Sequence, residues 1–148
     1  MPTSFDSVID LALITVNDYK LGKLLNQSQE NFQTYCDGFL IAAIPQFYLC
    51  KQSLSYDLEA RQFVADLTMF EQSILADFWV IQWFLKETQD AAQIANKLQV
   101  SSSFTMHSPA QNLKEKSSYL DTMREKVYQK INFYLTQDFD SIPHINEW

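Results

Sequence analysis

The sequence predicts an all-α protein: a bundle of about four main helices with one or two extended loops or a small hairpin, and an extended final segment. Two observations carry this fold class. The 148 residues include only two glycines, Gly22 and Gly38, which disfavours an all-β fold with many tight turns. Apolar residues also recur at helical spacing along most of the chain. We divide the chain into a helical bundle domain, 1–136, and an extended docking tail, 137–148.

The first predicted helix begins after Ser4 as N-cap and runs to about Leu25. Residues 26–28 form a polar break before a second helix, which Pro45 kinks or ends. The segment 51–67 is predicted as an extended loop or a small hairpin.

Thr68 and Glu71 form a capping box that opens a third helix, running to about Leu98. Alternation through Leu98–Met106 suggests a short strand or connector that pairs with 54–66. A second capping box, Ser108 to Gln111 with Pro109 at the first helical position, opens a fourth helix. Its apolar stripe is Leu113, Leu120, Met123, Val127, Ile131 and Tyr134.

The third helix contains the most apolar stretch of the chain, ILADFWVIQWFL at 74–85. Ten of its twelve residues are apolar, and they point to all sides of the helix. Such a helix must be covered all round, and twelve residues are too few for the roughly 20 that a bilayer span needs. The cover is therefore protein, either the other helices of this chain or neighbouring copies, and we expect an oligomer.

Composition narrows the function further. The net charge of −7 argues against binding nucleic acid through phosphate contacts. Residues 109–136 carry five basic and three acidic groups, whereas 137–148 carry three acidic groups and no basic one. This asymmetry suggests contacts between copies, although solvated helix faces are the commoner explanation. Cys36 and Cys50 are expected to be buried free thiols, and no signal peptide is indicated.

A catalytic or metal site is hard to assemble from these residues. His107 and His144 lie in predicted loops without the companion residues that a zinc site needs. Asp77 lies within the apolar stretch, where a lone buried carboxylate would be costly. We expect it to pair with Arg61 or with a lysine of the fourth helix, in the same chain or across an interface. We predict no catalytic residue, no metal ligand and no cofactor.

The final segment differs from the rest. Phe139, Ile142, Ile145 and Trp148 recur every three residues around Pro143, which suits an extended peptide with one apolar edge. Folding back on its own core and docking on another subunit are equally open. Together with the third helix and the segment 51–67 it supplies the predicted interface residues: Arg61, Asp77, Phe78, Trp79, Trp83, Phe84, Phe139, Ile142, Ile145 and Trp148.

Three stretches resemble the small helical head–tail connector (adaptor) proteins of tailed bacteriophages. They are DLALITVNDYKL at 10–21, ARQFVADLTMFEQSILADFWVIQWF at 60–84 and HSPAQNLKEKSSYLDTMREK at 107–126. The resemblance implies a structural virion protein of the neck, assembled in the host cytoplasm. It implies a homo-oligomeric ring, commonly twelve-fold, that joins the portal protein to a stopper or tail protein. DNA would pass through the ring without specific binding, and no membrane would be involved.

Two other classes remain open. One is a monomeric helical module that binds a ligand or regulates another protein, with the aromatic side chains around a small apolar molecule. The other is an enzyme that uses Asp77 or His107. Light scattering separates the first from a ring, and alanine substitutions test the second.

Overall fold

Five α-helices and one small antiparallel hairpin make up the part of the chain that the structure describes, which agrees with the predicted all-α class. This computed structural model describes the backbone of residues 1–16, 19–101 and 107–140, and the side chains of 1–16, 22–90 and 114–137. The helices are α1 (Phe5–Thr15), α2 (Tyr19–Gln27), α3 (Gln29–Ala43), α4 (Met69–Ser101) and α5 (His107–Asp140). The hairpin strands are β1 (Tyr56–Asp57) and β2 (Gln62–Phe63).

The first predicted helix is two helices. The Ser4 cap is confirmed, since its hydroxyl accepts a hydrogen bond from the Ser7 amide at 3.1 Å. However, α1 ends at Thr15 and the backbone at Val16 is extended, so a single helix to Leu25 was wrong. Two β-branched residues, Thr15 and Val16, precede an asparagine and an aspartate there, and all four disfavour a helix interior.

The second predicted helix is α3, and its limits are confirmed. Ser28 caps it by accepting a hydrogen bond from the Asn31 amide at 3.2 Å. The helix ends at Ala43, and Pro45 lies in a 3₁₀ turn, Ile44–Phe47. This turn places Phe47 in the core, where its ring packs edge-on against Tyr134 of α5.

The hairpin within 51–67 is confirmed, with Tyr56 opposite Phe63. Residues 3–5 extend it, because the Phe63 amide donates to the Thr3 carbonyl at 2.7 Å and the Phe5 amide donates to the Arg61 carbonyl at 2.8 Å. The predicted pairing with Leu98–Met106 was wrong for residues 98–101, which belong to α4. Residues 102–106 lie outside the described part of the chain.

The two long helices begin near their predicted caps. At the start of α4 the Thr68 hydroxyl accepts from the Glu71 amide at 3.1 Å, and the Glu71 carboxylate accepts from the Thr68 amide at 2.9 Å, which confirms the first box. The fourth predicted helix is α5, which begins at His107, so His107 lies in a helix and not in a loop. It continues to Asp140, so residues 137–140 are helical and not extended as predicted. Residues 141–148 lie outside the described part.

The first half of α4 is the centre of the core, with α1, α3 and α5 packed around it. Its buried apolar residues are Ile74, Leu75, Ala76, Phe78, Trp79, Val80 and Ile81. The Trp79 indole N–H donates to the Cys36 carbonyl at 2.9 Å, and its ring packs edge-on against Phe39. The chain's own helices therefore cover most of the apolar stretch. Of the two alternatives for this cover, the chain's own helices are the one that the structure shows for most of the stretch, so the expected oligomer does not follow from it.

Candidate functional site

The predicted interface residues divide into two groups. Phe78 and Trp79 are core residues of a single chain, which corrects their assignment to an interface. Trp83 and Phe84, one turn further along α4, are only partly buried, and the Phe84 ring contacts Tyr119 of α5 with 5.3 Å between centroids. Phe139 lies in the last turn of α5, but the structure does not describe its side chain. Ile142, Ile145 and Trp148 lie outside the described residues.

Asp77 has the lysine partner that the sequence predicts. Its carboxylate accepts a hydrogen bond from the Lys130 ammonium group at 2.7 Å, and Lys130 belongs to α5 of the same chain. The same ammonium group donates to the Ser73 hydroxyl at 2.6 Å. The prediction of a buried Asp77 was wrong, because its side chain is 37% exposed at the edge of the α4–α5 contact.

Arg61 does not pair with Asp77. This one of the two predicted alternatives was therefore wrong. Its guanidinium donates to both carboxylate oxygens of Asp37 and to Asp6, all at 2.8 Å. These hydrogen bonds, to Asp37 first and Asp6 second, raise the pKa of Arg61. The Arg61 backbone has φ 53°, a left-handed conformation that a non-glycine residue seldom adopts. The hydrogen bonds of the Arg61 side chain tie the hairpin to α1 and α3.

A second polar cluster surrounds Glu71 and was not predicted. Glu71 is only 2% exposed. Besides the Thr68 amide, its carboxylate accepts from the Tyr134 hydroxyl and from the Gln52 side-chain amide, each at 2.6 Å. Burial alone would raise the pKa of Glu71, but the hydrogen bonds from Tyr134, Thr68 and Gln52 together outweigh it and lower this pKa. The capping box in the sequence identified Glu71, but not its burial or its distant partners.

Tyr134 completes this cluster from α5. Its hydroxyl accepts from the Lys51 amide at 2.8 Å, and the Lys51 ammonium group donates to the Tyr134 carbonyl at 3.2 Å. Burial, and then the hydrogen bond to Glu71, raise the pKa of the Tyr134 hydroxyl. It therefore stays protonated at neutral pH and acts as a fixed donor that joins the loop after the 3₁₀ turn to both long helices.

Both cysteines are free thiols in the structure. Burial, with the neighbouring Asp37 charge, raises the pKa of Cys36 to about 12. Cys50 is half-buried beside Glu71, and burial raises its pKa as well. A nucleophilic or metal-binding cysteine reacts as the thiolate, so this environment disfavours either role.

An open groove of about 570 Å³ lies between α4, α5 and the end of α1. Its lining residues are Thr15, Phe70, Asp77, Val80, Tyr119, Met123, Lys126, Gln129, Lys130 and Phe133. Phe70 and Val80 are apolar residues of α4, and Phe133 stands on the opposite side, 55% exposed. The Asp77–Lys130 pair is the polar contact across it. We refer to this feature as the α4–α5 groove.

Within the described residues, no three histidine, cysteine, aspartate or glutamate side chains are grouped closely enough to hold a metal ion. Among the described helices, none is both long and apolar enough to cross a membrane. The side chains of His107 and His144 are outside the description.

Comparisons with protein-family models, with curated proteins and with solved structures found no match for this chain.

Proposed function

We propose that this protein is a structural subunit of a tailed bacteriophage neck, a head–tail connector that assembles as a ring between the portal protein and the stopper or tail. The resemblance of three stretches of the sequence to such connectors supports the proposal. These stretches, 10–21, 60–84 and 107–126, contribute to α1 and α2, to the hairpin with α4, and to α5.

The observation that carries the proposal is the set of aromatic side chains that α5 leaves exposed. This helix buries Val127, Ile131 and Tyr134 against the rest of the chain. The same helix leaves Tyr128 and Phe133 55% exposed. Aromatic side chains are enriched at protein–protein interfaces, and exposed apolar patches mark contact sites. A chain whose core is already closed, yet which keeps large rings on its surface, suits a subunit that meets other proteins.

The polar pairs between elements support a structural role of this kind. Each of three pairs joins different elements: Arg61 with Asp37, Glu71 with Tyr134, and Lys130 with Asp77. In the proposal they hold the helices in fixed relative positions and take no part in catalysis. A rigid subunit limits the entropy lost when copies assemble.

The acidic balance fits a channel through which DNA moves. With a net charge of −7 the protein offers few cations to replace the counterions of DNA. A ring built from such chains would repel the passing phosphates and would not retain them.

The decisive experiment is inactivation of the gene in the phage genome that encodes this chain. We expect electron micrographs of the lysate to show DNA-filled heads and separate tails, with infectious particles restored when the protein is supplied from a plasmid. An epitope at Met1, which is almost fully exposed, should then place immunogold label at the neck. Intact infectious particles without the protein would overturn the proposal.

A second candidate is a monomeric ligand-binding module, because the α4–α5 groove falls within the range of about 300–1,000 Å³ typical of small-molecule sites. That function predicts saturable binding of a fluorescent apolar probe with one site per chain, abolished by Phe133→Glu, at an exposed residue of the groove. It also predicts a monomer at all concentrations by light scattering. Probe binding that is weak and unchanged by this substitution would argue against it.

A further inference from the structure

The α4–α5 groove has the length of a short extended peptide. It runs along α5 from Tyr119 to Phe133, and fourteen residues of helix correspond to roughly 21 Å. Phe133 and Tyr119 both remain more than half exposed at its edge. The groove is therefore an apolar channel with two large rings that the described part of the chain leaves uncovered.

We propose that the α4–α5 groove of one copy binds residues 141–148 of a second copy. This rests on the proposed function, since it names the contact by which neighbouring copies join. Ile142, Ile145 and Trp148 recur every three residues, with Pro143 between the first two. In a polyproline-type peptide, residues spaced by three lie on one edge, and Ile142 to Trp148 spans roughly 19 Å. This length matches the groove.

The reach of the chain favours a second copy over the same one. Because α5 continues to Asp140, its end lies roughly 10 Å beyond Phe133. To run back as far as Tyr119, the segment would have to cover roughly 31 Å. Eight residues span at most about 26–29 Å even when fully extended, before any allowance for the reversal of direction. The segment of the same chain therefore cannot cover the whole groove, whereas that of a neighbour is free of this restriction.

Charge favours the same pairing. The groove is lined by Lys126, Lys130 and one carboxylate, Asp77. Lys130 is held by Asp77, whereas Lys126 is exposed and forms no ion pair with the other described residues. The docking segment contains Glu147 and no basic residue, and Asp138 and Asp140 precede it. The proposed contact therefore places an acidic peptide in a groove whose Lys126 is not paired with Asp77.

Photo-crosslinking of the full-length protein tests this contact. Phe133 is replaced by p-benzoylphenylalanine, and equal amounts of ¹⁴N and ¹⁵N chains are irradiated together at high protein concentration, because a contact of this size is weak outside a ring. We expect crosslinked peptides that join position 133 to 141–148 and combine the two isotopes. The matched control is Tyr128→p-benzoylphenylalanine, since Tyr128 is equally exposed on the same helix but does not line the groove.

A full-length Trp148→Ala chain should lower the mixed-isotope yield roughly tenfold, as expected for the loss of one large apolar anchor. Crosslinks confined to single-isotope pairs would overturn the inference in favour of the chain's own segment. Absence of crosslinks to 141–148, or equal yields from positions 128 and 133, would also overturn it.

These outcomes are separable from the proposed function. A protein found at the neck that gives no such crosslinks keeps its function and loses this contact. A protein that gives them, but whose loss leaves particles infectious, retains the contact and loses the function.

Discussion

Glu71 shows how one residue can hold together segments far apart in the chain. It begins as a local helix cap with Thr68, yet its carboxylate also binds Gln52 and Tyr134. A buried carboxylate is costly unless its oxygens are fully hydrogen-bonded. The three donors meet this requirement, so Glu71 stabilises the junction of the loop with α4 and α5.

We expect Tyr134→Phe to lower the free energy of unfolding by about 1–3 kcal/mol, because it removes the hydrogen bonds of the Tyr134 hydroxyl with the Lys51 amide and with the buried Glu71 carboxylate, whose Oε2 atom then keeps the weak donor of the Cys50 thiol. Urea denaturation followed by circular dichroism measures this. The control is Tyr128→Phe, whose exposed ring lies on the same helix and which should change stability by less than about 0.5 kcal/mol. Equal effects of the two substitutions would contradict the role given to the Tyr134 hydroxyl.

Stability should also depend on pH through Glu71. Its pKa in the folded protein lies below the ordinary value of 4.5, so its stabilising contribution is complete above pH 4.5 and is lost as the pH falls through the folded value. Glu71→Gln removes this titration. We expect the difference in unfolding free energy between wild type and Glu71→Gln to shrink on acidification below 4.5. A difference that stays constant across this range would be the contrary result.

The sequence predicts the local part of this cluster and not the rest. Thr68 and Glu71 are three residues apart, so their mutual capping follows from helix geometry alone. The bonds from Gln52 and Tyr134 depend on the path of the loop after the 3₁₀ turn, which no local pattern specifies. The partner of Asp77 could be narrowed only to Arg61 or a lysine of the last helix, because a carboxylate near a packed contact needs a cation but the sequence does not show which one lies beside it.

At the level of elements, the hairpin acts as a tie between helices. Arg61 lies at its turn and donates to Asp37 of α3 and Asp6 of α1. Asp37 is nearly buried, whereas Asp6 is more than half exposed. The contact with Asp37 should therefore contribute most of the stabilisation.

Arg61→Ala should lower the free energy of unfolding by about 2–4 kcal/mol, because it leaves the Asp37 carboxylate buried without a cation. Asp6→Asn, the control at the exposed partner, should cost less than about 1 kcal/mol. Adding Asp37→Asn to Arg61→Ala should recover part of the loss. Thermal denaturation of the four proteins measures these effects, and a double variant less stable than Arg61→Ala would contradict them.

The start or end of a helix could be predicted where a short local motif marks it. It was uncertain where only the periodicity of apolar residues was available. The caps at Ser4 and Thr68 and the break at Pro45 follow from one or two neighbouring residues. The gap between α1 and α2 was missed, because Val16 and Tyr19 continue the apolar spacing across it. The alternation of apolar and polar residues around Leu98 and Val100 predicted a strand or connector, but both residues lie in the last turns of α4.

On the scale of the whole molecule, the sequence predicts that the apolar stretch of α4 is covered. It does not predict whether helices of the same chain or neighbouring copies provide the cover. Burial removes the same area from water whether the cover is intramolecular or intermolecular. The structure resolves this for Phe78 and Trp79, which the chain's own helices enclose. The case for assembly therefore rests on the exposed rings of α5 and on the α4–α5 groove.

A chain with this charge should not bind duplex DNA. At roughly 10 µM protein and about 50 mM salt, conditions that favour phosphate contacts, we expect no shift of linear DNA in a gel. A basic DNA-binding protein run alongside provides the positive control. A complex that forms and dissociates as salt is raised would contradict the idea of a channel that lets DNA pass.

The edge contact between residues 3–5 and β2 has a consequence for synthesis. Thr3 bonds with Phe63 and Ala65, about sixty positions later in the chain. At about 5–20 residues per second, the ribosome completes these partners roughly 3–12 s after Thr3. Throughout that delay residues 3–5 lack their β2 partners. The nascent chain cannot form this edge contact until Phe63 and Ala65 have been translated.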